Sequence, residues 1–112
     1  MQQAYSSACT ESGATPISRV HNQLDAPRLS LPHYGLGARG AVALSTLLPL
    51  NHSWRVFDLR DNAIGQVGAL AIGAGLRGNK TLTSLELSSN VIGAKAMVRL
   101  SDGPSSRRAH RT

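Results

Sequence analysis

A spacing of 28 residues runs through this chain and restricts its fold more than any other feature. Leu31, Leu59 and Leu87 share that offset, and so do Leu29, Phe57 and Leu85. Leu36, Ile64 and Ile92 follow it, as do Gly37, Gly65 and Gly93. Gly40-Ala41 falls on Gly68-Ala69, Ala43 on Ala71, Leu48 on Leu76 and Asn51 on Asn79. Asn62 matches Asn90, whereas the first copy has Tyr34 at that place. So many apolar and glycine positions held in phase without a gap describe one structural unit used repeatedly. One such unit cannot bury its own apolar face, so neighbouring copies must stack.

Each copy reads as strand, turn and helix. Arg55-Val56-Phe57-Asp58-Leu59 alternates with period two, which puts Phe57 and Leu59 on one face of a strand. The same pattern predicts strands near 28–31, 56–59 and 84–87, all parallel. The turn that follows contains Asn62 or Asn90, whose side chains can satisfy buried loop amides. Ala69, Ile72 and Leu76, and before them Ala41, Leu44 and Leu48, make apolar helical stripes. They predict helices over about 38–49 and 66–77, with a partial third over about 94–101. Phe57, Leu59, Ile64, Ile72, Leu76, Leu85 and Leu87 are the expected core. Gly78-Asn79 suits a left-handed helix exit.

Trp54-x-x-Phe57-x-Leu59-x-x-Asn62-x-Ile64 and Leu82-x-x-Leu85-x-Leu87-x-x-Asn90-x-Ile92 resemble the leucine-rich repeat pattern. The repeat length and the segment Ile64–Ala69 are similar to the ribonuclease-inhibitor subclass. That resemblance covers about residues 26 to 100. It implies an α/β leucine-rich repeat solenoid, with short parallel strands on the concave side and helices on the convex side of a horseshoe. It is silent on the partner. A narrower resemblance links Tyr5-x-x-Ala8-Cys9, Thr15-Pro16-Ile17-Ser18 and Leu29–Gly37 to the start of the leucine-rich repeat-containing protein 74 group. It bears on the N-terminal boundary and adds no mechanism.

The ends of such a stack need separate treatment, because terminal units expose apolar faces. Residues 1–25 read as a helical cap. Its first helix runs to about Gly13, and a second starts with Thr15 as N-cap and Pro16 at the first position. Cys9 is expected to be a small buried apolar residue. Residues 26–101 hold two complete repeats and one partial, since Pro104 stands where a third Leu76 equivalent would be. Residues 102–112 read as a disordered basic tail. On this reading the chain is a fragment or variant of a longer array. Its strand at 84–87 is an open edge, prone to self-association.

Chemistry-bearing motifs are scarce. A lone Cys9 excludes an intrachain disulfide, and His21, His33, His52 and His110 lie in different units, so neither metal nor cofactor is expected. The net charge of +6 would suit nucleic acid, but the basic residues are spread out apart from Arg107, Arg108 and Arg111. Trp54 and Phe57 occupy core positions and make poor stacking platforms, which argues against nucleic acid. No apolar run approaches the roughly 18 residues of a membrane span, and no secretory pattern is visible, so a cytoplasmic location is expected.

Binding is expected on the concave face, at Arg28, Ser30, His33, Asp58, Arg60, Asp61, Glu86 and Ser88. Asp58 and Glu86 occupy equivalent places on adjacent strands, about 4.8 Å apart, as solvated carboxylates able to receive a partner's Lys or Arg. The leading reading is a non-enzymatic protein-interaction scaffold with an unidentified protein partner. A nucleic-acid module driven by charge is one alternative. Regulation of a GTPase is another, implied only by similarity to Ran-activating proteins, and no residue here matches their catalytic contacts.

Overall fold

A computed structural model describes residues 1–90 and the backbone of 108–110. Helices α1 (Gln2–Ser12) and α2 (Ser18–Asn22) come first. Strand β1 (Arg28–Ser30), α3 (Gly37–Leu47), β2 (Val56–Asp58), α4 (Gly65–Arg77) and β3 (Ser84–Glu86) follow, and β4 (Arg108–His110) ends the order. The strands form one parallel sheet in the order β1-β2-β3-β4. Leu29 pairs with Phe57 and Phe57 with Leu85, so the register equals the sequence period. The inter-strand bonds continue beyond the strands: Leu31 N–H donates to the Asp58 carbonyl at 2.8 Å, and Leu59 N–H to that of Glu86 at 3.0 Å. The third helix expected over 94–101 lies outside the described residues.

The core lies between the sheet and the helices. All seven expected core residues are buried to 1% exposure or less. Trp54 packs edge-on against Phe57 with ring centres 4.8 Å apart and donates its indole N–H to the Gln23 carbonyl. Helices α3 and α4 pack side by side, and α1 packs on α3, burying Tyr5, Ala8 and Cys9 as the apolar spacing requires.

Turns in this architecture are held by buried amides. Asn62 Oδ1 accepts the N–H groups of Tyr34 and Leu36 at 2.9 and 3.3 Å, and its Nδ2 donates to the Leu31 carbonyl at 2.7 Å. Asn90 repeats this one unit on, accepting from Asn62 and Ile64 and donating to Leu59. A second column, not anticipated as such, runs along the opposite turn. Asn79 donates to the Leu48 and Asn51 carbonyls and accepts from Thr81 and Leu82 N–H. Asn51 donates to Leu24 and accepts from Ser53 and Trp54.

Several expectations need correction. The second helix begins at Ser18 with Ile17 as its N-cap, not at Thr15. The Ile17 N–H donates to the Tyr5 hydroxyl at 3.0 Å, which holds Ile17 extended at ψ 122°. Burial pushes the Tyr5 phenol up to about 12, against the downward pull of the Ile17 bond. Gly78 is not left-handed, with φ −91°; a Cβ there would stand 3.0 Å from Pro49 Cβ, so glycine serves close approach. Left-handed residues instead sit after each strand, at His33, Asp61 and Ser89. The expected open edge at β3 is occupied: β4 pairs parallel to it, Ser84 with Arg108 and Glu86 with His110. Residues 108–110, inside the stretch read as a basic tail, thus lie along the edge at which self-association was expected.

Two substitutions test this packing. Asn79→Ala should lower stability by roughly 1–3 kcal/mol, because it strips partners from four backbone groups. Gly75→Ala should cost about 1–3 kcal/mol as an overpacked site, since the added methyl would meet the Ser45 carbonyl oxygen and Leu48. Urea denaturation followed by circular dichroism measures both. Unchanged midpoints would mean that the turn and the α3–α4 contact relax freely.

Candidate functional site

Residues adjacent to Leu29, Phe57 and Leu85 point away from the helices, as alternation along a strand requires. Arg28 is exposed, and Ser30, Val56, Ser84 and Glu86 are half-buried. These side chains form columns across the sheet because the strands pair in register.

Four of the expected site residues converge. Arg60 forks onto Asp58, with Nε to Oδ1 at 2.8 Å and Nη2 to Oδ2 at 2.9 Å. Arg28 Nη2 reaches Asp58 Oδ2 at 3.2 Å. Glu86 Oε2 lies 3.8 Å from Arg60 Nε. The Asp58 side chain is completely buried, while those of Arg28 and Arg60 are 53% and 44% exposed. Asp58 is therefore not the solvated carboxylate expected from its place on the sheet. Its own chain supplies, as two guanidinium groups, the cation that a partner's Lys or Arg was expected to bring. Burial pushes the Asp58 carboxyl up, but the Arg60 bonds and charge, joined by Arg28, outweigh this and hold it below the usual carboxylate value. Arg60 is raised in turn by its bond to Asp58.

His33 and Asp61 form a second, exposed pair, Nδ1 to Oδ2 at 2.7 Å. They occupy equivalent left-handed turn positions in successive units, which stacks one side chain over the other. Ser30 and Ser88 stand outside both clusters and act through their backbones. The Ser30 N–H donates to Gln23 Oε1 at 2.8 Å, and its carbonyl accepts from Arg19 Nε at 2.9 Å. The Ser88 carbonyl accepts from the Asp61 N–H at 2.9 Å. Gln23 and Arg19 thus satisfy the outer edge of β1. Sequence reasoning missed them because edge cover depends on a loop's path and has no periodic signal.

Chemically this face offers anchored cations and carboxylates on a shallow sheet. Among the described residues no group of three or more His, Cys, Asp or Glu side chains could hold a metal ion. Among them, too, no helix is long and apolar enough to cross a membrane.

The lowered Asp58 value fixes a pH dependence. A carboxyl whose folded pKa lies below its unfolded value of about 3.9 stabilises the fold fully above that value. The contribution is lost as pH falls through the lower folded value. Asp58→Asn should therefore cost about 1–2 kcal/mol between pH 5 and 8, consistent with charge-assisted bonds to half-exposed partners. The difference from wild type should shrink below about pH 4. Urea midpoints across that range decide it; a difference that persists at low pH would assign the loss to shape and not to charge.

Comparison with known proteins agrees with this geometry. Residues 51–73 and 78–101 match the family model described as Leucine Rich repeat. The solved structure of leiomodin-1 actin-binding site 2 superposes with a TM-score of 0.72, covering 84% of this chain at 24% identity. At that identity the likeness is one of fold. The chain spans 57% of the length of that solved chain. With the in-phase leucines, the parallel register and the buried turn asparagines, these matches identify residues 51–73 and 78–101 as leucine-rich repeats.

Proposed function

We propose that this chain is a non-catalytic protein-interaction module that docks its partner on the concave, strand-bearing face of a repeat stack. The observation that carries the reading is the register. Arg28, Val56 and Ser84 form one outward column, and Ser30, Asp58 and Glu86 the next. Extended faces of this kind suit another protein. Arg28, Ser30, His33, Arg60, Asp61, Glu86 and Ser88 are the proposed docking residues, and Asp58 holds two of them in place. The 28-residue period with a 13-residue helix in α4 supports the ribonuclease-inhibitor subclass. The packing of α1 on α3 supports a capping role for the N-terminal helices. The N-terminal residues support kinship with the leucine-rich repeat-containing protein 74 group. A free, buried Cys9 supports placement in a reducing compartment such as the cytoplasm. Nucleic acid is disfavoured, since Arg28 and Arg60 are engaged by Asp58 and both Trp54 and Phe57 are buried.

Actin is the first partner to test, because the solved structure with the same fold is an actin-binding site. Co-sedimentation with actin filaments, beside affinity capture from cell extract, should be run with wild type and with Val56→Arg/Ser84→Arg. The double variant adds bulk and charge to the face while leaving the core intact. A partner of the concave face should lose at least about tenfold in affinity, or roughly 1.4 kcal/mol. Retention of the same partner by the folded variant would move docking off the sheet.

A further inference from the structure

Away from the sheet, a cavity of about 360 Å³ lies between the loop after α1 and the start of α3. Its apolar lining is unfinished core. Ala14, Ile17 and Leu36 pack on the core with one side yet stay only partly buried, and all three line the cavity. Tyr34 lines it as well, 42% exposed, with the Arg19 guanidinium 5.8 Å from its ring centre. Arg39 is the charged residue of the lining, and among the described residues its guanidinium has no hydrogen-bond or ion-pair partner.

The first repeat departs from the internal pattern at this place. Tyr34 stands where later copies have Asn62 and Asn90, and Gly35 where they have Ala63 and Val91, while the position of Arg39 is held by Val67 in the second copy and by Lys95 in the third. Both departures line the cavity beside Arg39, whereas the buried positions Leu29, Leu31 and Leu48 keep their apolar character. Stacking does not call for an arginine here. In the first turn of α3 a cation meets the positive end of the helix dipole. What holds it is the other helix: Arg39 Nη1 and Cδ lie 3.5 and 3.6 Å from the point a Cβ on Gly13 would occupy. The guanidinium therefore leans over the C-terminal end of α1, where a cation is favoured, without spending its hydrogen-bond donors on the fold.

We propose that this cavity is a second docking site, for a linear segment of a partner protein in which a large apolar residue adjoins an aspartate or glutamate. The apolar side chain fills the space over Ile17 and Leu36 against the Tyr34 ring, and the carboxylate is received by Arg39. Charge complementarity selects this occupant, because two cations, Arg39 and Arg19, flank the cavity and its lining holds no carboxylate. The volume is at the small end of ligand pockets, enough for one or two side chains. No lining residue belongs to a strand, so the site stands independently of the concave-face reading.

The test is an array of short synthetic peptides, each with a central Leu or Phe flanked by Asp, Ser or Lys, probed with the purified full chain. Wild type should prefer the Asp-flanked set over the Lys-flanked set by at least about tenfold. Arg39→Glu should invert that preference and Arg39→Gln abolish it. Tyr34→Ala should weaken binding while keeping the acidic preference. Val56→Arg/Ser84→Arg should leave the pattern unchanged, which separates failure here from failure of the concave face. Thermal unfolding of each variant identifies any purely structural loss. No preference between flanks in wild type, or an acidic preference that survives in a folded Arg39→Glu, would overturn the proposal.

Discussion

Asparagine side chains at both turns of the repeat carry backbone groups that neither helix nor strand can pair. Asn62 and Asn90 serve the turn after each strand, and Asn51 and Asn79 the turn before it. Each spans two units, accepting N–H groups and donating to carbonyls across the stack. A buried amide or carbonyl left unpaired costs about 1–3 kcal/mol, so a turn compact enough to allow close stacking depends on these amides. The sheet register, the left-handed residues and the distance between helices all follow from turns of this one shape.

Close stacking in turn sets the choice of small residues on the helices. Gly68 faces Ala41, with a Cβ at Gly68 falling 2.9 Å from that of Ala41, and Gly75 faces the Ser45 carbonyl. Any side chain at these glycines would push α4 from α3 and pull the strands out of the spacing that hydrogen bonding requires. Backbone economy and helix packing are thus one constraint viewed from two sides of the core.

On the outer face the same register creates the electrostatics. Pairing Ser30 with Asp58 and Asp58 with Glu86 brings a carboxylate between Arg28 and Arg60. The cluster stays because a buried charge must be matched, and the two guanidiniums keep about half their surface in water. The face is consequently more rigid and closer to neutral than a net charge of +6 suggests. Arg39, which has no ion-pair partner among the described residues, lies elsewhere.

Much of the fold was legible in the residues because a 28-residue period fixes which positions face each other before any coordinate is known. Phe57 had to sit beside Leu85, and Asn62 beside Asn90. Alternation within each strand told inward from outward. Periodicity is a statement about identical environments, and it falls silent where the environment changes. It could not show that the Tyr5 hydroxyl would take the Ile17 N–H and delay α2, or that Gln23 and Arg19 would cover the edge of β1. It could not place residues 108–110 on β3 at an offset that differs from the repeat. It named Arg28, Asp58, Arg60 and Glu86 as candidates by their outward positions, but not the direction of their contacts. Long side chains choose partners through space, and only the assembled sheet brings Arg28 within 3.2 Å of a carboxylate that the pattern alone would leave in water.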